Sequence, residues 1–178
     1  CQCRYYYGQD TQSKRSENIM FKKLFGKREL EFFAPVTGRI IPLTEVSDPV
    51  FASFAMGDGF AVIPMSHEIY APVSGTVVAV FPTKHAIGIK TSDGTEVLIH
   101  IGIDTVTLQG KGFKNFVDLD DEVTENSMIA TVELALLQDK NIEATTMVIV
   151  TNQPTSRFRV TENHQDVNQG QLIHLQKI

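Results

Sequence analysis

The sequence predicts an all-β protein, mainly antiparallel, folded as a sandwich or barrel with little helix. Three observations point there. From about Glu31 the chain consists of short runs rich in Val, Ile, Phe and Thr, parted by Gly, Pro and Asp turns at close spacing. Only "ATVELALLQDKNIE" (Ala130–Glu143) leaves room for a helical turn or two. The pattern Ala-Pro-Val-Ser/Thr-Gly followed by β-branched residues occurs twice, in "FFAPVTGRIIPL" (Phe32–Leu43) and "IYAPVSGTVVAV" (Ile69–Val80). Two related β-motifs are therefore expected to pack together.

The elements follow in order. Pro35 cannot donate to a ladder, so it belongs at a strand start or edge, and Gly38 permits the tight turn into "GRIIPL". Gly57 and Gly59 mark a close backbone approach beside the apolar run "GFAVIP". Pro72 and Gly75 repeat the first pair's roles ahead of "GTVVAVF". "AIGIKT" and "EVLIHIGI" flank the turn-rich "TSDG" (Thr91–Gly94) and read as a hairpin. "MVIVTN" and "QLIHLQ" supply later strands.

Residues 31–178 form the expected domain and residues 1–30 a flexible tail. Residues 1–19, "CQCRYYYGQDTQSKRSENI", are polar and without apolar periodicity, which reads as disorder. They are a candidate non-native leader, with Met20 the candidate natural start. A processed lipoprotein beginning at Cys1 is set aside, since no signal segment is visible. In 20–28, Phe21, Leu24 and Phe25 fall on one helical face with Lys22, Lys23 and Lys27 elsewhere. Such a basic amphipathic segment is suited to reversible contact with a membrane surface. The competing reading is a frayed tail whose aromatics dock on the domain.

With 178 residues, 42% hydrophobic and 21% charged, the composition is that of an ordinary globular domain with a real core. A net charge of −5 offers no basic footprint, so no nucleic-acid partner is expected. No apolar run approaches the roughly 20 residues that cross a bilayer. Both cysteines, Cys1 and Cys3, lie in the tail, so the body has no disulfide. That suits a reducing cytoplasm, with segment 20–28 allowing a location peripheral to the membrane.

His85 and His100 stand in strand-like apolar runs where a valine would fold as well. If "TSDG" is a four-residue loop, Lys90 faces Thr95 and His85 falls opposite His100. If the loop is the two-residue Asp93-Gly94, His85 lies opposite Gly102 and His100 is its diagonal neighbour. Only an odd-length loop sends one histidine to the other face. A swinging-arm carrier of the biotinyl or lipoyl kind is discarded, because Lys84, near the hairpin, is followed by histidine rather than flanked by acidic residues or methionine.

Three chemistries suit a histidine pair. Metal binding needs a third protein ligand for a catalytic zinc, and His67, His164 and His174 lack helpful spacing. General acid–base catalysis calls for an orienting carboxylate, for which Asp104 is the near candidate. In nucleophilic catalysis one imidazole takes a phosphoryl group, while the other hydrogen-bonds the phosphoryl oxygens. Two half-buried histidines satisfied by local hydrogen bonds compete with all three.

"GTEVLIHIGIDTVTLQGKGF" resembles the phosphorylation-site signature of the glucose-type enzyme IIA (EIIA) domain of the bacterial phosphoenolpyruvate-dependent sugar phosphotransferase system. The resemblance covers roughly residues 31–178 and includes "APVTG", "DPVFA", "GDGFAVIP", "APVSGTV", "FPTKHAIGI" and "TMVIVTN". It implies that His100 is phosphorylated on Nε2 and that His85 stabilises the phosphoryl group. Thr83 matches the threonine that orients His85, and the Gly102 carbonyl the acceptor of the His100 Nδ1 proton. Val50, Phe51, Phe81 and Leu98 match an apolar docking ring, for which ordinary core is the competing reading. Asp48 and Asp104 match acidic positions beside the histidines. Departures lie at Leu98, Met147, Asn126 and Ser127, where relatives commonly have Phe, Pro and a Gly-Asp turn. They touch packing rather than the histidines.

The function so implied is that of a phosphohistidine carrier. It accepts a phosphoryl group from the phosphocarrier protein HPr and passes it to a cysteine of an EIIB domain for sugar uptake. The alternatives are a regulatory protein whose binding depends on the phosphorylation state of His100, and a β-sandwich zinc hydrolase. No cofactor is required, and weak zinc binding at His85 and His100, completed by a partner's carboxylate, is a further expectation.

Overall fold

The computed structural model describes residues 29–178. Segment 1–28, with the leader and amphipathic readings placed on it, lies outside the described residues. β1 (Glu29–Phe33) begins just ahead of the expected boundary at Glu31. An eight-stranded sheet runs in the order β13 (Asp166–Val167), β2 (Gly38–Pro42), β3 (Asp58–Pro64), β11 (Thr146–Val150), β7 (Glu96–Ile101), β6 (Ala86–Lys90), β5 (Gly75–Val80), β9 (Glu122–Val123). Two three-stranded sheets accompany it. One orders β1, β14 (Leu172–Lys177) and β12 (Phe158–Val160); the other orders β4 (Glu68–Tyr70), β10 (Met128–Val132) and β8 (Phe113–Asn115). The pairings are antiparallel, as the all-β reading requires.

The two Ala-Pro-Val copies pack on each other. Phe33 donates its N–H to the Pro72 carbonyl and Tyr70 donates to the Pro35 carbonyl, both at 2.8 Å. These bonds are reciprocal: each copy gives from the residue two before its proline and receives at the proline, whose own nitrogen has nothing to donate. The glycine after each copy is a close-approach residue. A Cβ on Gly38 would stand 2.1 Å from the Ile63 carbonyl oxygen, and one on Gly75 2.3 Å from that of Lys90. The eight-stranded sheet repeats the symmetry, with β13-β2-β3 on one side of the central β11–β7 pair and β9-β5-β6 on the other.

Alternation along the central strands divides the interior. On β7, Val97, Ile99 and Ile101 enter the main core with Phe32, Phe60, Ile87 and Ile89. Leu98 faces the other way, into a smaller apolar cluster with Ile41, Phe51, Ala86, Ile103, Met147 and Ile149. β11 is buried along its whole length, which accounts for its continuous apolar text. Among the described residues there are two short α-helices. α1 (Pro49–Ala52) is capped by Asp48, which accepts from Val50 N–H at 2.8 Å, with proline at the first helical position. α2 (Leu134–Asp139) falls in the stretch reserved for helix and buries Leu137.

The β6–β7 hairpin takes the odd register. Lys90 faces Glu96 and Ala86 faces His100, so the loop is Thr91–Thr95. The four- and two-residue loops are both displaced by the side chains of the turn. Thr91 Oγ1 donates to Asp93 Oδ1 at 2.6 Å, and Thr95 N–H donates to Thr91 Oγ1 and to Asp93 Oδ1, each at 3.1 Å. Those bonds draw Thr95 into the loop.

Candidate functional site

An odd register should part the histidines, yet they meet. His100 lies on β7, on the face of Leu98. His85 lies one residue before β6, in bent backbone that follows Lys84 at a left-handed φ of 59°. Its carbonyl still accepts from Ile101 N–H at 2.8 Å. The bend at Lys84, rather than strand alternation, turns the imidazole of His85 toward His100. The ring centroids are 4.9 Å apart and the planes nearly perpendicular, at 77°.

Each Nδ1 has a fixed partner. His100 Nδ1 is 2.9 Å from the Gly102 carbonyl oxygen. A carbonyl only accepts, so Nδ1 carries the proton and Nε2 keeps its lone pair. His85 Nδ1 is 2.6 Å from Thr83 Oγ1. Gly102 earns its place by conformation: φ is 75°, and a Cβ there would meet Thr105 Cγ2 at 2.4 Å. Thr105, wholly buried, donates to the Ile101 carbonyl at 2.7 Å and holds that turn.

The surroundings disfavour a proton on either ring. Burial, then repulsion from His85, lowers the His100 pKa to about 4, against the opposing effects of the Gly102 hydrogen bond, Asp48 and Asp104. Burial lowers His85 as well, in keeping with its 6% exposure. Both imidazoles are therefore neutral near pH 7, one with a directed lone pair.

The pair sits in a depression of about 280 Å³ lined by Asp48, Val50, Phe51, Phe81, Leu98 and Asp104 among others. All the ring residues expected from the sequence are thus brought to the histidines, in two tiers. Phe51 and Leu98 are buried and form the floor, the Phe51 ring 4.9 Å from that of His100. Val50 and Phe81 are exposed at the rim, the Phe81 ring 5.6 Å from that of His85. Asp48 is half-buried, and Asp104 is exposed with φ 57°. The sequence reading missed Met56 and Val106, which add two exposed apolar side chains to the rim. Their exposure is the only signal of the role, and it exists only once the chain is folded.

The other histidines lie elsewhere, each beside a carboxylate: His67 with Glu68, His164 with Glu45, His174 with Glu162. Among the described residues no group of three or more His, Cys, Asp or Glu is placed to hold a metal ion. A zinc ion at this pair would need its remaining donors from a partner. Among the described residues no helix is long and apolar enough to cross a membrane.

Comparison with known proteins places the chain in a family and among solved folds. Residues 30–156 match the family described as phosphoenolpyruvate-dependent sugar phosphotransferase system, EIIA 1. The glucose permease IIA from Mycoplasma capricolum is a similar solved structure, 42% identical, with a TM-score of 0.77. The match covers 85% of this chain and 97% of that one.

Proposed function

Since the chain belongs to the EIIA 1 family of the phosphoenolpyruvate-dependent sugar phosphotransferase system, we propose that it carries the phosphoryl group on Nε2 of His100, receiving it from HPr and delivering it to a cysteine of an EIIB domain. The observation that carries this reading is the Nδ1–H of His100 held on the Gly102 carbonyl, beside a second neutral imidazole. In the first step the Nε2 lone pair forms a bond to phosphorus. The phosphorus–nitrogen bond of the donor breaks, and its electron pair returns to the donor imidazole. In the second step a cysteine thiolate forms the new bond to phosphorus and His100 recovers its lone pair.

Gly102 supports both steps. Its carbonyl fixes the reactive tautomer and faces the positive charge that N-phosphorylation places on the ring. For His85, a Thr83 hydroxyl donating to Nδ1 leaves the proton on Nε2, where it can bond to the phosphoryl oxygens. With a partner docked on them, the apolar floor and rim would exclude water, so transfer to that partner would compete well with hydrolysis.

Incubation with phosphoenolpyruvate, enzyme I and HPr tests the proposal. Acid-labile, base-stable phosphate should appear on the wild type and be absent from His100→Ala. Phosphate on His100→Ala would refute the assignment. His85→Gln should accept phosphate and release it slowly to EIIB, so unaltered transfer in that variant would remove the stabilising role.

The exposed rim of Val50, Met56, Phe81 and Val106 favours a second, compatible role. Phosphorylation sets a negative charge amid an apolar contact surface, so a regulatory target would bind one state of His100 better than the other. Pull-downs with the phosphorylated and unphosphorylated forms should then retain different amounts of such a target, and equal retention speaks against the role.

A further inference from the structure

Glu143 joins the two sides of the histidine site. Its backbone carbonyl accepts from Ile103 N–H at 2.8 Å, and the neighbouring Thr145 carbonyl accepts from Gly102 N–H at 3.0 Å. The segment 143–145 thus holds the turn whose Gly102 oxygen fixes His100. The carboxylate reaches in two further directions. Oε1 accepts from Thr145 Oγ1 at 2.6 Å, on a residue with 1% exposure, and Oε2 accepts from Ser47 Oγ at 2.7 Å. Ser47 immediately precedes Asp48, the cap of α1, and α1 carries Val50 at the rim and Phe51 against the His100 ring.

We propose that Glu143 is a positioning residue, a brace that sets α1, with Phe51 and Val50, at a fixed distance over His100. This rests on the carrier reading for its consequence in transfer, while the geometry of the brace is independent of that reading. Two features favour positioning over a direct electrostatic effect. The Ser47–Glu143 bond directly joins two loop segments 96 residues apart in the chain, outside the β3–β11 ladder that pairs the strands beside them. Charged acceptors also make the stronger hydrogen bonds, and this one takes two hydroxyl donors at short distance, which fixes the direction of the carboxylate. A misplaced reacting group loses rate steeply, so a small drift of α1 has a measurable effect.

The test uses the whole chain as Glu143→Ala, Ser47→Ala, the double variant and Glu143→Gln, read in two ways. The first is the rate at which diethyl pyrocarbonate modifies His100, followed by peptide mass spectrometry with no partner present. The second is the rate of phosphoryl acceptance from phosphorylated HPr. Loss of the brace should raise the first and lower the second, each by about fivefold, the scale of one lost hydrogen bond. The double variant should be no worse than Glu143→Ala, which already removes the Ser47 link together with the Thr145 one. Glu143→Gln should restore most of both rates: its amide oxygen accepts one hydroxyl and its NH₂ donates to the other.

Wild-type rates in both single variants, or effects that add in the double variant, overturn the brace. A change in acceptance with unchanged His100 reactivity also overturns it, by marking Glu143 as a partner contact. Should the wild type accept no phosphate, the carrier reading fails, and the reactivity of His100 still decides the brace.

Discussion

His100 is neutral because burial and its neighbour His85 outweigh the Gly102 carbonyl, Asp48 and Asp104, which favour an imidazolium. The lowered pKa, about 4, has a consequence for folding. The unfolded chain takes a proton near the ordinary histidine value, while the native site refuses it until a lower pH. Stability from this residue is therefore fully present above about pH 6.5 and is lost as pH falls toward 4. The shift corresponds to roughly 3 kcal/mol. Buried Asp58 has the opposite sign: its pKa is raised, chiefly by burial, so its contribution is present at low pH and fades as pH rises through the native value. Comparing urea unfolding of the wild type and His100→Asn at about pH 7 and about pH 4.5 separates the two. The wild type should lose more stability on acidification than the variant. An imidazole titration of His100 with a midpoint near the ordinary value would contradict the effect.

Among the elements, β12 packs on the main core and is also hydrogen-bonded to the large sheet by the Asp58 side chain. Asp58, 3% exposed at the start of β3, accepts from Gly59 N–H at 2.7 Å and from Phe158 N–H at 2.8 Å. Asp58→Ala leaves both donors buried without a partner, which should cost about 2–3 kcal/mol. Urea midpoints measure this, and hydrogen exchange should locate the extra opening at Phe158; a loss below about 0.5 kcal/mol would mean that water replaces the carboxylate. Elements of this kind also show what could be read in the text of the chain. Strand runs, the doubled proline motif and the helix at Leu134–Asp139 were legible because they depend on residues close in sequence. The hairpin register was not. It is decided by the hydroxyl of Thr91 and the carboxylate of Asp93, and the histidines meet through the left-handed bend at Lys84. The pairing of the imidazoles was expected, and its route was different. The Ser47–Glu143 bond joins segments 96 residues apart, and the exposure of Met56 and Val106 at the rim exists only in the fold, so no local spacing announces them.

For the whole molecule the interlocked copies matter most. Each gives a backbone hydrogen bond to the other, and the halves share the central β7–β11 pair and one main core. Unfolding should be a single transition, with far-ultraviolet and near-ultraviolet circular dichroism coinciding along a urea titration. Separate transitions would show that the halves are independent units. The two halves nevertheless diverge in what they do with one shared slot. Asp58 stands opposite Val150, the last residue of β11, and the His85 carbonyl bonds to Ile101, the last residue of β7. An ionisable side chain is buried at that slot in both. In one half it tethers a strand; in the other it faces His100. On the proposed function, substitutions at one slot would be felt in folding, and at its twin in turnover.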